Sequence, residues 1–378
     1  MTSAGRSVAI IGTRGYPSYY GGFETLIRHL APCLVEKGWD VTVYSRPGAT
    51  VPTDPARDPR VVVRNTVGLE SRSLSTLSYG LTSCLDAAVK KPDVALVLNV
   101  ANGFWLPALK SRGIPTVVNV DGIEWERAKW GSGAKRVFRA GATLTARYAT
   151  RLVVDSLEIK RRWENDFHRE GDFIPYGGDF VDPLPPVEGL TPNKYVLMVA
   201  RFVPENTVVE FFEAAEELSR DRDVVIVGSS GYGGELDEQV RAMAQRNERI
   251  TWMGHVSDDR KLFSLWQNAG AYFHGHSVGG TNPALVQAMA CQAPIVARDT
   301  VYNREVLGDA GRFVAAEPSE IVTTVNDVIA DSAGQQVMRD RALQRAYDYY
   351  TWEDVCQRYE DSLLAAIGQT SSTNLQGP

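Results

Sequence analysis

Short runs of β-branched and apolar residues alternate with longer amphipathic stretches along nearly the whole chain, and the series starts twice. The first series places strands at 7–11, 40–44, 61–63, 94–98, 116–120 and 152–154. Between the first two, Phe23, Leu26, Ile27, Leu30 and Leu34 recur at helical spacing, and Gly38 closes that helix. Pro32 sits inside the pattern and is expected to kink or restart it. The segment 173–193 breaks the alternation with Pro175, Gly177, Gly178, Pro183, Pro185, Pro186 and Pro192, a density typical of a linker. The alternation then begins afresh, with strands at 195–199, 224–227, 250–253, 271–274 and 295–296. The expected fold is therefore α/β: two Rossmann-like, doubly wound domains facing each other across a cleft, with residues 1–175 and 193–350 joined by a linker at 176–192. Ligands of open α/β sheets bind at the carboxyl ends of the strands.

A chain of 378 residues suits two cores better than one. The formal net charge of -6 argues against a nucleic-acid partner, which calls for a basic face. No apolar run approaches the roughly 20 residues that span a bilayer. Residues 1–6 lead straight into a strand-like run, so no signal peptide is expected and the cytoplasm is the expected compartment. Cys33, Cys84, Cys291 and Cys356 lie far apart and read as reduced core residues. The polar tail 368–378 reads as disordered.

Four segments carry chemistry. The first runs from Gly12 to Glu24, a glycine-rich loop after the first strand that feeds a helix at Gly21 and Gly22, where free backbone N–H groups can face an anion. Its spacing is not GxGxxG. Ser45-Arg46 also stands after the second strand, where an NAD enzyme wants a carboxylate. The second runs from His274 to Gln287. Pro283 fits the first helical position and Asn282 the cap before it, so the helix aims its positive end at Gly279, Gly280, Thr281 and Asn282, a place for a diphosphate. The third, from Val199 to Asn206, sets Arg201 at a strand's carboxyl end, and a guanidinium is a preferred partner of phosphate oxygens. The fourth, from Asn119 to Arg127, offers Asp121 and Glu124 as groups able to accept a proton from an incoming hydroxyl; a helix cap and a first-turn acid would look the same. His276 joins them as a candidate catalytic group.

Together these segments resemble the retaining glycosyltransferases of the large bacterial family 4, in particular its rhamnosyltransferase-like branch. The branch shows an opening like IIGTRGYPSYYGGFET, then NVDGIEWERAKW, ARFVPEN and HSVGGTNPALVQAMA in that order. The similarity covers roughly residues 6 to 366. It implies a GT-B fold with an acceptor-side domain first, a nucleotide-sugar donor domain second, and a helix at 351–367 returning to the first domain. It also implies a nucleotide-diphosphate sugar as co-substrate, with no cofactor and no essential metal, and no Asp-x-Asp falls at a cleft loop. Arg201 resembles the diphosphate-binding arginine, and Asn206 stands where many relatives have lysine. Gly279 and Gln287 stand where many have the two glutamates of an E-x7-E motif, the second of which binds ribose. Asp121 falls near a histidine common in the family. Gly228 with His255 and Val256 resembles the nucleobase pocket.

The resemblance implies a same-face substitution, with the departing diphosphate oxygen taking the acceptor's proton. A neutral amide at Gln287 accepts ribose hydroxyls more weakly than a carboxylate. With the branch resemblance, this points to a dTDP-linked deoxysugar such as rhamnose, passed to a saccharide, lipid-linked or small-molecule acceptor. Other readings are a UDP- or GDP-sugar transferase, a nucleotide-sugar epimerase, a nicotinamide dehydrogenase disfavoured by its glycines, and a catalytically silent partner protein. Finally, Arg127, Lys129, Lys135, Arg136, Arg139, Arg147 and Arg151 form a stretch without an acid, interleaved with Val137, Phe138, Leu144 and Tyr148. It reads either as a peripheral contact with an anionic membrane or as a solvated helix face.

Overall fold

The computed structural model describes residues 5–19, 21–50, 53–70, 75–127, 130–231 and 233–368. It divides into two compact units, one of Met1–Pro175 with Trp352–Pro378 and one of Tyr176–Thr351. The expected disordered tail, beyond Gly368, lies outside the described residues.

Unit 1 holds a seven-stranded parallel sheet built from β1 (Arg6–Ile11), β2 (Trp39–Ser45), β3 (Val62–Asn65), β4 (Val94–Leu98), β5 (Thr116–Asn119), β6 (Arg151–Val154) and β7 (Asp172–Phe173). Their order is β3-β2-β1-β4-β5-β6-β7, so the direction of winding reverses between β1 and β4. Val8 pairs with Val41 on one side and Val94 on the other. Strands in such a sheet are covered on both faces, which is why β4 reads VALVL and is buried throughout. The helices are α1 (Gly22–Glu36), α2 (Ser75–Lys90), α3 (Leu106–Ser111), α4 (Ser132–Tyr148) and α5 (Leu157–Phe167). Pro32 neither restarts nor ends α1, which runs unbroken through it. The missing hydrogen bond is offset by burial of Leu26, Ile27, Leu30, Ala31 and Leu34 along one face.

Unit 2 holds a six-stranded parallel sheet of β8 (Val196–Val199), β9 (Val224–Val227), β10 (Ile250–Gly254), β11 (Ala271–His274), β12 (Ile295–Arg298) and β13 (Gly311–Val314). The order β10-β9-β8-β11-β12-β13 reverses between β8 and β11. Its helices are α6 (Val208–Leu218), α7 (Glu235–Arg246), α8 (Asp259–Gln267), α9 (Pro283–Ala290), α10 (Val301–Leu307), α11 (Pro318–Ala330) and α12 (Ser332–Tyr349). Phe180, Val181, Leu184, Val187 and Leu190, interleaved with the prolines of the linker-like stretch, pack on the core of this unit. Phe180 stacks on Tyr347 with ring centroids 4.0 Å apart. Strands β7 and β13 were not expected from the sequence: one has two residues and the other carries Gly311 and Arg312, so neither shows an apolar run.

The last helix, α13 (Trp352–Ala366), belongs to unit 1. Trp352 stacks on His29 of α1 at 4.0 Å, and burial lowers the His29 pKa to about 4. Tyr359 of α13 accepts from Asn119 Nδ2 at 2.7 Å beneath the end of β5. Cys356 Sγ on α13 lies 3.8 Å from the His29 carbonyl of α1, and all four cysteines are free.

Candidate active site

In unit 2 the reversal of winding falls between β8 and β11, and the loops after these two strands carry Arg201 and residues 275–282. The loops are stitched together. Ser277 donates to the Glu205 carbonyl from both its backbone N–H and its hydroxyl, at 2.9 and 2.8 Å. Thr207, in a left-handed conformation at φ 55, donates from Oγ1 to the Gly275 carbonyl at 2.6 Å. Gly275 permits the approach: a Cβ there would stand 2.4 Å from the Asn206 carbonyl oxygen. Arg298, at the end of β12, donates to Thr207 Oγ1 at 3.0 Å, and Asn303 Nδ2 braces the carbonyls of His276 and Arg298 at 2.8 Å each. Glu205, Thr207, Arg298 and Asn303 were missed by sequence reasoning. Their roles lie in contacts between loops, made mostly to or from backbone carbonyls, which no residue spacing announces.

Within this frame the expected donor residues divide. Arg201 is exposed, its carbonyl is held by Val203 N–H and by Asn206 Nδ2 at 2.8 Å, and its guanidinium has no partner among the described residues. Asn206 is thereby spent on shaping the loop; it is 4% exposed and does not offer its amide to a diphosphate. The start of α9 also differs from expectation. Pro283 has no N–H, Ala284 N–H goes to Asn282 Oδ1 at 2.9 Å, and Leu285 and Val286 N–H both reach the Asn282 carbonyl. Among the donors left for an anion are the N–H groups of Gly279 and Gly280, which bond to no described residue. The helix contributes its dipole behind them. Thr281 is buried at 3%.

The ring of His276 stacks on that of His274 at 4.4 Å. His274 is fully buried, shares a hydrogen bond of 2.9 Å between Nδ1 and the Tyr272 hydroxyl, and is held far below the usual histidine pKa by desolvation and by His276. His276 therefore leans on a neutral ring. Around β9 and β10 the Gly228 N–H donates to the Gly254 carbonyl at 2.7 Å, while the Gly228 carbonyl accepts from Trp252 Nε1 at 2.9 Å. His255 is exposed and Val256 packs on the core beside them.

Gln287 is corrected by the structure. Its Oε1 accepts from Asp179 N–H and its Nε2 donates to the Asp179 carbonyl, both at 2.8 Å, with Cys291 Sγ at 3.4 Å. The amide clamps the segment before the second core and is not presented to a ribose, so the argument from Gln287 to a deoxyribose donor falls. Gln287→Glu keeps the acceptor but turns the donor into a carboxylate oxygen facing a carbonyl. We expect a loss of about 1–3 kcal/mol in folding free energy from the unsatisfied pair, read as a lower melting temperature, with unchanged selectivity between UDP and dTDP. A shift in base selectivity without loss of stability would restore the ribose role.

In unit 1 the acids also divide. Asp121, just past β5 at φ 60, is partly exposed; its N–H donates to Asn119 Oδ1 at 2.9 Å, and Asn99 Nδ2 reaches Asp121 Oδ2 at 3.4 Å. Asn99 is itself left-handed at φ 72, just past β4. Glu124 is 3% exposed and committed to Arg127 Nε at 2.5 Å and Trp130 Nε1 at 2.8 Å, so it is a structural anchor rather than a base. At the start of α1, Gly21 is the cap and Gly22 the first helical residue. The buried Glu24 accepts from Arg14 N–H at 2.9 Å and Thr13 Oγ1 at 3.2 Å. That carboxylate holds the loop and makes the helix start less hospitable to an anion than its glycines alone imply.

The basic stretch is partly neutralised. Arg127 pairs with Glu124, Arg139 with Asp166 at 2.8 Å and Arg151 with Asp172 at 2.6 Å. Lys129 lies outside the described residues. Lys135, Arg136 and Arg147 on α4 have no ion-pair partner among the described residues, and Val137 beside them is 40% exposed. No helix among the described residues is long and apolar enough to cross a membrane, and none of them forms a cluster suited to a metal ion.

Two family models match, one to most of each unit. Residues 21–177 match the one described as "Glycosyl transferase 4-like domain", and residues 184–346 that of "Glycosyl transferases group 1". Each domain is thus similar to a glycosyltransferase domain, and the fold is that of GT-B glycosyltransferases. Sucrose-phosphate synthase from Thermosynechococcus elongatus superposes with a TM-score of 0.77 at 17% identity, over 96% of this chain and 100% of that one. Anabaena HepE, solved in complex with UDP, gives 0.73 at 16% identity, over 95% and 100%. In sequence, O-antigen chain mannosyltransferase B of Escherichia coli is 25% identical over 192 residues, 48% of this chain and 49% of that protein. The match thus spans about half the length of that curated relative.

Proposed function

We propose that the protein is a retaining, metal-independent glycosyltransferase that moves a sugar from a nucleotide-diphosphate donor held by unit 2. The observation that carries this reading is the free guanidinium of Arg201 on a loop bonded to the one that offers the Gly279 and Gly280 N–H groups, at the point where the sheet reverses. Two backbone donors and an unpaired cation suit a diphosphate and stabilise it as it departs. HepE, of the same fold, was solved with UDP and with UDP-glucose. In the reaction the acceptor oxygen bonds to the anomeric carbon as the carbon–diphosphate oxygen bond breaks, and the acceptor's proton passes to the departing diphosphate. Asp121 orients the acceptor hydroxyl. His276 stands on the donor loop as a further polar contact.

With the Gln287 argument removed, dTDP-rhamnose as donor rests on the branch resemblance alone, and a saccharide, lipid-linked or small-molecule acceptor follows from the same source. The test is turnover and competition with dTDP-rhamnose, UDP-glucose and GDP-mannose. Transfer from dTDP-rhamnose with the anomeric configuration kept supports the reading in full. Transfer from another donor overturns the rhamnose assignment, and inversion overturns the retaining one. Failure to bind any nucleoside diphosphate ends the glycosyltransferase reading. Asp121→Asn is expected to lower kcat while leaving donor affinity unchanged, because an orienting contact matters as the bond forms. Wild-type turnover with a lower melting temperature would make Asp121 a structural residue. We place the protein in the cytoplasm with α4 against an anionic membrane. Flotation with anionic vesicles is then expected to fall with salt and to fail for Arg136→Gln combined with Arg147→Gln.

A further inference from the structure

Arg46 follows β2 in unit 1, and its position is unusual for a cation. The residue is 9% exposed, its Nε has no hydrogen-bond partner, and its guanidinium lies over the Tyr79 ring, 5.1 Å from the centroid. Its backbone is fixed by a 2.8 Å bond from Arg46 N–H to the Arg14 carbonyl. Beside it Ser45, 1% exposed, also leaves its hydroxyl without a partner. Both line a recess at the carboxyl ends of β1, β2 and β3, walled further by Thr13, Thr66 and Tyr79. A buried guanidinium with an unbonded N–H and a buried hydroxyl with no partner are each costly, and here they share one space.

The nearest counter-charge is poorly placed. Glu70 Oε2 stands 3.8 Å from Arg46 Nη1, and its side chain is 64% exposed. It lies close enough to Tyr79 to raise the pKa of that hydroxyl, after burial, by its charge. At that distance the pair makes a weak ion pair and no direct hydrogen bond. The recess itself has room for about one water-sized group, with a volume near 10 Å³. Only a terminal oxygen enters it, while the body of a ligand stays outside.

We propose that this recess is an oxyanion subsite for the acceptor: Arg46 and Ser45 receive one oxygen of a carboxylate or phosphate on the acceptor sugar, in exchange for Glu70. The proposal rests on the glycosyltransferase reading for the word acceptor, while the subsite itself stands on unit 1 alone. Carboxylate and phosphate share the chemistry. A guanidinium N–H and a hydroxyl donate to a charged oxygen, and Glu70 swings out to solvent.

The test is direct binding by calorimetry at low salt, with glucuronate, glucose 1-phosphate and neutral methyl glucoside as probes. An anionic sugar is expected to bind and the neutral glycoside to bind at least about tenfold more weakly, the loss of one charge-assisted contact. The stronger of the two anions identifies the acceptor's group. Arg46→Gln is expected to remove the preference for the anion while leaving nucleoside-diphosphate binding through Arg201 intact, a control that separates failure of the subsite from failure of the enzyme reading. Glu70→Gln is expected to tighten binding of the anion, since it removes a competitor. This second variant changes an exposed side chain and decides the matter if Arg46→Gln does not fold. Equal binding of neutral and anionic sugars, or no tightening in Glu70→Gln, overturns the proposal.

Discussion

Gly228→Ala is expected to unfold unit 2 or to lower its stability by more than about 4 kcal/mol, a loss that single substitutions reach only through severe mechanisms. Gly228 sits at φ 130, and a Cβ built there would stand 1.8 Å from the Ala200 carbonyl oxygen. That oxygen belongs to the backbone just past β8. Ala200 N–H in turn donates to the Val227 carbonyl at 3.0 Å, so it has no room to retreat without breaking the β8–β9 ladder. The backbone conformation alone costs a side chain about 1–3 kcal/mol, and the clash adds to it. Gly231, three residues on, makes the control. It has φ 85 with nothing within 4 Å of a built Cβ, so Gly231→Ala is expected to pay only the backbone strain, about 1–3 kcal/mol. Urea denaturation of both variants reads the difference. Comparable midpoints would mean that the β8 end moves easily and that the close approach does not shape the site.

Arg201→Ala is expected to weaken nucleoside-diphosphate binding by about 1.5–3 kcal/mol, the worth of a charge-assisted hydrogen bond, or roughly 10- to 150-fold in Kd. The fold should not notice. The guanidinium bonds to nothing among the described residues, and the loop is held through the Arg201 carbonyl by Val203 and Asn206. Calorimetry with UDP and dTDP beside a thermal melt separates the two effects. Unchanged affinity removes Arg201 from the site. A lowered melting temperature with lost affinity would assign it a part in the loop instead. Asn206→Ala should behave in the opposite way, lowering the melting temperature because the buried amide bond to Arg201 is lost.

How far the sequence reaches is clearest in particular residues. The strands were legible because parallel strands covered on both faces must be apolar throughout, and runs such as VALVL or VVIV admit little else. β7 and β13 were not legible, since short edge strands need no such run. The place of Arg201 and of Gly279 and Gly280 was legible too. A strand end and a Pro-marked helix start are local patterns, and local patterns determine which residues stand at a sheet's carboxyl edge. The tertiary structure alone decided which polar atoms remain free. Gln287, Asn206, Glu124 and Glu24 carry the same groups whether they meet a ligand or the protein itself. The fold brings Gln287 to Asp179, 108 residues away, while Asn206, Glu124 and Glu24 are taken up by residues close to them in the chain once their loops are shaped. Arg46 is the reverse case, a side chain with no motif whose burial without a hydrogen bond at Nε appears only once β2 lies beside Tyr79. Periodicity reports burial along one segment, whereas which polar atoms are hydrogen-bonded depends on how loops close on themselves and on segments as distant as Asp179 from Gln287.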